Sequence, residues 1–514
     1  MIEESTISDV QRMMASGEVT SRALTEGYLA RADALDGQGP CVNSVIELNP
    51  DALAIAEALD RERAGGKVRG QLHGIPILIK DNIDTKDRML TTSGSLALDG
   101  PPSLRDAYLV RRLRAAGAVI LGKANLSEWA NFRDSHSISG WSSRGGLTRN
   151  PYSLDRSACG SSSGSAAAVA ASFCMAAVGT ETDGSIICPA QTCGIVGLKP
   201  TLGLVSRSGI VPIAHSQDTA GPMARTVEDA AALLSALAGT DDADPATRFS
   251  RDRRARDYRV FLDKGGLKGS RIGIARNMIG SDPRLAALLA SWIDVMEHLG
   301  AVVIDPADLP NFDRFNKTEL EVLYSEFSPD LNRYLAARGP KAHVRTLAEI
   351  IRFNEENRQR VMPFFAQDRM IAAREKAAAG REGYRRALAK NHRLTRREGI
   401  DAVMRKHRLD AMVVPSGGPA WVIDLANGDP RSWDMESTSP AAVAGYPHIT
   451  VPGGYVHGLP VGVSFFGKAW HEAGLIRLAY AFEQATQYRK APAFLASVEA
   501  EAAPPSPPQR GASG

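Results

Sequence analysis

Short apolar runs, each closed by a glycine turn and followed by a helical stretch, constrain this chain more than any other feature. In LHGIPILIKDNID, residues 75–79 form an apolar run of strand length between Gly74 and polar residues, the pattern of a strand buried on both faces. Lys80 ends it. DAYLVRRLRAAGAVILGKAN then reads as a helix, a glycine turn and a second buried strand at 118–121. The alternation returns in GSAAAVAASFCMAAVGTETDGS, and the runs RIGIA, AVVID, DAMVVPS, PHITVPGG and LPVGVSFFG punctuate the remainder. Alternating strands and helices imply an α/β fold.

With 514 residues, one sheet can be wound through most of the chain. Residues 1–65 read as helices, 66–225 carry the serine and glycine motifs, 226–410 are helical and highly charged, and 411–500 hold strands and a closing helix. Residues 501–514, rich in Pro, Ser and Gly, are expected to be disordered. The 61 basic and 58 acidic side chains give a net charge of +3 without a basic block, so nucleic acid is not implied as a partner. Five cysteines, Cys41, Cys159, Cys174, Cys188 and Cys193, form no C-x-x-C pair, which argues against a disulfide framework and a structural zinc. Reduced thiols in a cytoplasmic protein are expected. The N-terminus lacks the basic and apolar regions of a leader, and no apolar run reaches membrane-spanning length.

Three places offer chemistry. ACGSSSGSAAAVAAS, residues 158–172, contains G-x-S-x-G centred on Ser162, the wording of a nucleophile elbow. An elbow needs a strand directly before it, and RNPYSLDRSAC reads as loop; His215, His448 and His457 have no context that marks a triad partner. In VGTETDGSIICPA, Ser185 follows an apolar run and a glycine turn whose successive N–H groups can converge on one point, as an oxyanion hole requires. Lys80, at the end of a buried run, is a lysine whose pKa burial should lower, leaving a neutral amine able to act as a base. The segment from Gly117 to Lys123 matches most of a phosphate-loop pattern, but Ala124 replaces the Ser/Thr and the spacer is strand-like, so nucleotide binding is rejected.

LHGIPILIKDNID, ACGSSSGSAAAVAAS, VGTETDGSIICPA and GIVGLKPTLGLVSRSGIVPIAHSQDTAGPMARTVEDA together resemble the amidase signature family of serine hydrolases, over about residues 5–495. The wording GTETDGSI and the segment AVAGYPHITVPGGYVHGLPVGVSFFGKAW look most like bacterial peptide amidases, which remove ammonia from C-terminal peptide amides. The resemblance implies one domain over 1–500, built on a large central mixed β-sheet with helices on both faces and additional helical segments. It implies a Ser-cisSer-Lys triad: Ser185 as nucleophile, Ser161 as bridging serine on a cis peptide, and Lys80 as base. The N–H groups of Thr182, Asp183, Gly184 and Ser185 become the oxyanion-hole candidates, and Ser162 a supporting hydrogen-bond partner, or an N-cap for the alanine run. No cofactor and no metal is required. The implied partners are a small-molecule or peptide amide substrate, with no nucleic acid and no membrane, in a monomer or homodimer. Alternatives are the glutaminase-type component of a tRNA-dependent amidotransferase, or an aryl-amide, carbamate or ester hydrolase of the same family.

The chain departs from the commonest family wording at Cys159-Gly160, Ser163-Gly164, Glu181, Asp183 and Ile187. Asp183 is expected to repel negatively charged substrates, and Cys188 to be a small apolar filler. Tyr324, Trp421 and Trp433 are candidate pocket walls.

Overall fold

The computed structural model describes residues 3–378, 382–430 and 437–498. Eleven strands form one mixed sheet, in the spatial order Val45–Leu48, Val119–Ala124, Pro76–Lys80, Ala176–Glu181, Thr219–Ala224, Val196–Lys199, His448–Val456, Leu459–Phe466, Ala411–Pro415, Arg271–Ile274 and Val302–Ile304. Pro76–Lys80 runs parallel to both neighbours, in register Ile79 with Val178 and Lys80 with Ala124. Antiparallel pairing takes over from Ala176–Glu181 through Ala411–Pro415, and the far edge is parallel again. Every residue of Pro76–Lys80 and Ala176–Glu181 is buried, as two-sided coverage by helices demands.

The expected strands are present within a few residues of their boundaries. Three strands of the main sheet do not announce themselves in the sequence: Val45–Leu48, within a region read as helical, Val196–Lys199, and Thr219–Ala224, whose TAGPMA carries too little apolar bulk to signal burial. A further correction concerns the segment before the serine run. Ser153–Ser157 is a short strand paired with Arg149–Asn150 in a separate two-stranded ribbon, so it does not deliver Ser162 from the main sheet as an elbow would.

Helix Ser163–Ala170 is buried along its whole length. Its small side chains allow near contact: a Cβ at Gly164 would fall 2.2 Å from Ser44 O and 2.5 Å from Asn125 O. Asn316–Ala337 packs with Asp368–Ala378 and Glu382–His392, and a second apolar cluster of Trp129, Phe132, Phe327 and Leu331 joins this helical layer to the segment 129–132. No helix among the described residues is long and apolar enough to cross a membrane. The tail 501–514 lies outside the described residues.

Candidate active site

Lys80 leaves the sheet at the end of its strand and is completely buried. Its Nζ lies 2.7 Å from Ser161 Oγ, 3.0 Å from Ser162 Oγ, 3.0 Å from Thr180 Oγ1 and 3.2 Å from Thr180 O. Burial pulls the amine down to about 7, against the opposing charges of Glu181 and Asp218. The two serines are not equivalent. Ser162 Oγ already donates to Thr180 O at 3.0 Å and accepts from Thr180 N at 3.2 Å, whereas the Ser161 hydroxyl has no acceptor among the described residues other than Lys80. Ser161 is therefore the serine whose proton can pass to a neutral amine. Ser162 does not cap helix Ser163–Ala170 with its side chain; its hydrogen bonds go to the lysine and to Thr180. The Gly160–Ser161 peptide is cis.

Ser185 stands on the turn that follows Ala176–Glu181, the strand bonded alongside Lys80's own. The turn is tied to the serine loop by Ser162 N donating to Ser185 O at 3.2 Å. Gly184 has φ +73°, a left-handed conformation that glycine adopts without a Cβ clash. The N–H groups of Thr182, Asp183, Gly184 and Ser185 donate to no described residue, an unusual run of open donors in a buried turn. Glu181 Oε2 accepts from Ile186 N at 2.7 Å and Ile187 N at 3.0 Å, pinning the chain just beyond Ser185.

The structure missed by sequence reasoning surrounds this turn. Asp183 Oδ1 accepts from Thr438 Oγ1 at 2.8 Å and Oδ2 from Ser439 Oγ at 2.5 Å. Glu319, buried beside it, is pushed well above the carboxylate range by desolvation and by the Asp183 charge; held neutral, it donates to Asp183. Gln217 Nε2 donates to Glu319 Oε1 at 2.9 Å and to Thr182 O at 3.3 Å, closing the network back on the turn. The Asp183 carboxylate thus accepts from two hydroxyls while its residue also lines the cavity that holds Ser185. On the other flank, Thr182 Oγ1 donates to Asp218 at 2.6 Å, and burial raises that carboxyl to about 6.

A second correction is covalent. Cys159 and Cys188 form a disulfide with Cα atoms 5.9 Å apart, so Cys188 is not a simple apolar filler and these two thiols are not reduced; Cys41, Cys174 and Cys193 are free.

Ser185, Thr182, Asp183, Cys159 and Gly160 line a cavity of about 320 Å³. Its far wall includes Trp421, Leu323 and Arg369, while Tyr324 packs on Phe132 at 5.7 Å and Trp433 lies outside the described residues. A neighbouring cavity of about 330 Å³ shares Ala130, Thr182 and Ile213 with it. His215 and His448 are engaged elsewhere, with Asp330 Oδ2 at 2.7 Å and Ser464 Oγ at 2.6 Å.

A family model described as amidase matches residues 23–476. The chain is 41% identical over 504 residues to a probable amidase of Arabidopsis thaliana, covering 96% of this chain and 92% of the relative. It is 37% identical over 499 residues to a component of the glutamyl-tRNA(Gln) amidotransferase of Symbiobacterium thermophilum, covering 94% and 97%. Among solved structures it is similar to the native peptide amidase of Stenotrophomonas maltophilia, with TM-score 0.90, 51% identity and coverage of 96% and 99%.

Proposed function

The chain belongs to the amidase signature family and is an amide-hydrolysing enzyme, and from that premise we propose that it removes ammonia from C-terminal peptide amides through Lys80, Ser161 and Ser185. The observation that carries the assignment is the pairing of fully buried Lys80 with Ser161, the one of its two serine neighbours with a proton free to give.

In this reading neutral Lys80 takes a proton from Ser161 Oγ, which takes one from Ser185 Oγ as that oxygen attacks the amide carbonyl. The developing oxyanion is met by the open N–H groups of Thr182, Asp183, Gly184 and Ser185, whose loss one at a time typically costs about 10²- to 10³-fold in turnover. Collapse of the tetrahedral intermediate breaks the C–N bond, and the relay delivers its proton to the leaving nitrogen. Water, deprotonated through the same relay, then hydrolyses the acyl-enzyme to carboxylate and free Ser185. Every step is carried by protein groups, so the reading calls for no cofactor. A cytoplasmic setting belongs to the same proposal, as does a monomeric or homodimeric state.

The 51% identity to a peptide amidase favours peptide amides over the glutaminase-type role, for which the 37% identity to an amidotransferase component is the supporting observation. An ammonia-release assay on the isolated chain separates them. Turnover of a peptide amide by the single chain, lost in Lys80→Ala, supports the first; silence until partner proteins are added supports the second.

A further inference from the structure

Resting on the roles assigned to Ser161 and Ser185, we propose that the Cys159–Cys188 disulfide is a positioning clasp for the proton relay, so that turnover depends on whether this bond is closed. Cys159 precedes Ser161 by two residues and Cys188 follows Ser185 by three, so the bond joins the two segments between which a proton must pass. Non-covalent ties between the same segments are Ser162 N to Ser185 O at 3.2 Å and Ser162 Oγ with Thr180 O and N at 3.0 Å and 3.2 Å. Further back, Thr192 Oγ1 donates to Ala158 O at 3.1 Å. A relay works only while its oxygens stay within hydrogen-bond reach, and small misplacement is costly.

The backbone at Cys159 points the same way. Its φ is +54°, a left-handed conformation in which a side chain bearing a Cβ is disfavoured and glycine is at ease. A cysteine held there needs a compensating interaction, and its side chain makes the covalent bond to Cys188. The location also differs from that of a general staple. The two segments are already fixed to an eleven-stranded sheet and a buried helix, whereas the bond sits in the wall of the cavity that holds Ser185.

That placement lets the bond be opened from the substrate side. Cys159 lines the cavity and Cys188 is fully buried behind it. A thiolate of a small dithiol entering the cavity attacks Cys159 Sγ; the S–S bond breaks, and its electron pair leaves on Cys188 Sγ, which takes up a proton. The second thiol of the reductant resolves the mixed disulfide, releasing the Cys159 thiol and closing the reductant's own disulfide. Two electrons and two protons pass from dithiol to cystine, and a low-molecular-weight disulfide reverses the exchange. Cys193, a buried free thiol, has its Sγ 3.9 Å from Ala158 O, and burial pushes it up to about 12, so it stays protonated and does not scramble the pair. Where a thiol pool reduces disulfides, such a bond makes activity responsive to that pool.

The test uses the whole chain and a peptide amide substrate. The bond is verified by non-reducing peptide mapping, then kcat and KM are measured before dithiothreitol, after it, and after reoxidation. The clasp predicts a kcat lower by roughly ten- to hundredfold on reduction, with KM little changed and with recovery on reoxidation. Cys188→Ala and Cys159→Gly should match the reduced enzyme and ignore dithiothreitol. Cys159→Gly keeps the left-handed backbone and loses only the bond, and thermal melts report whether each protein is folded. A kcat indifferent to verified reduction, or free thiols at both positions in the oxidised enzyme, overturns the clasp while leaving the hydrolase reading intact. Absence of ammonia release in every redox state overturns the hydrolase reading and the clasp with it.

Discussion

Lys80 Nζ reaches Ser161 Oγ across 2.7 Å from the end of a strand whose parallel neighbour leads directly into the turn of Ser185. With the amine held at about 7 by burial instead of the usual 10.5, the base-competent neutral form gains ground as pH rises through neutrality. We expect kcat/KM on a peptide amide to climb to a plateau above about 7. The stability effect has the same sense. Between about 7 and 10.5 the unfolded chain binds the extra proton, so the penalty for burying this lysine is relieved as pH increases across that window. A rate profile that stays flat into acid argues against a lysine base.

Ser185→Ala and Ser161→Ala should fail differently. The first removes the oxygen that forms the acyl-enzyme and abolishes fluorophosphonate labelling. The second keeps that oxygen but breaks the path to Lys80, lowering kcat by about 10²- to 10⁴-fold with labelling slowed and not lost. Equal labelling rates in wild type and Ser161→Ala would remove Ser161 from the relay.

Glu319→Gln tests the carboxyl pair behind the turn. Glu319 is held neutral with its pKa well above 4.5, so the folded state binds a proton that the unfolded state releases, and stability falls as pH rises through that window. Replacing it by an amide that can still donate to Asp183 should flatten this dependence in thermal melts recorded against pH. Asp183→Asn, with its partners Thr438 and Ser439 in place, should leave the preference between acidic and neutral substrates unchanged. A marked gain on acidic substrates would return Asp183 to the role of a repelling charge.

Gly164→Ala probes the contact beneath the serine loop. The new Cβ meets two backbone carbonyls, at 2.2 Å and 2.5 Å, neither of which can rotate away as a side chain would. We expect destabilisation of about 1–3 kcal/mol by denaturant titration, together with reduced activity, because the displaced helix begins immediately after Ser162.

Lys80 and Ser185 were legible as candidates because each lies in a short stretch whose neighbours also carry the signal, an apolar run before a lysine and a glycine turn between apolar residues; Ser161 was legible as one only through the family resemblance, because the serine motif by itself centres on Ser162. Glu319 and Gln217 were not. They reach the turn from segments far apart in the chain, and a charged residue on a long charged helix looks solvated until the fold shows its face buried. The disulfide escaped for a similar reason. Two cysteines 29 positions apart carry no recognisable spacing, and only the adjacency of two loops makes them partners. Thr219–Ala224 was missed because a central strand with glycine, proline and two alanines among its six residues has close packing in place of bulk: a Cβ at Gly221 would sit 2.0 Å from Leu198 O.

The register that sets Ile79 beside Val178 also sets the end of Lys80's strand against the one that leads to Ser185. Lys80 ends, and the turn of Ser185 follows, neighbouring strands whose spacing is set by main-chain hydrogen bonds, which are indifferent to side-chain identity. Leu323 and Arg369 of the cavity's far wall come from helices Asn316–Ala337 and Asp368–Ala378, more than a hundred residues further along the chain. In the proposed reading, substitutions on those two helices reshape the far wall of the cavity without touching the main-chain hydrogen bonds that hold Lys80 beside the turn of Ser185.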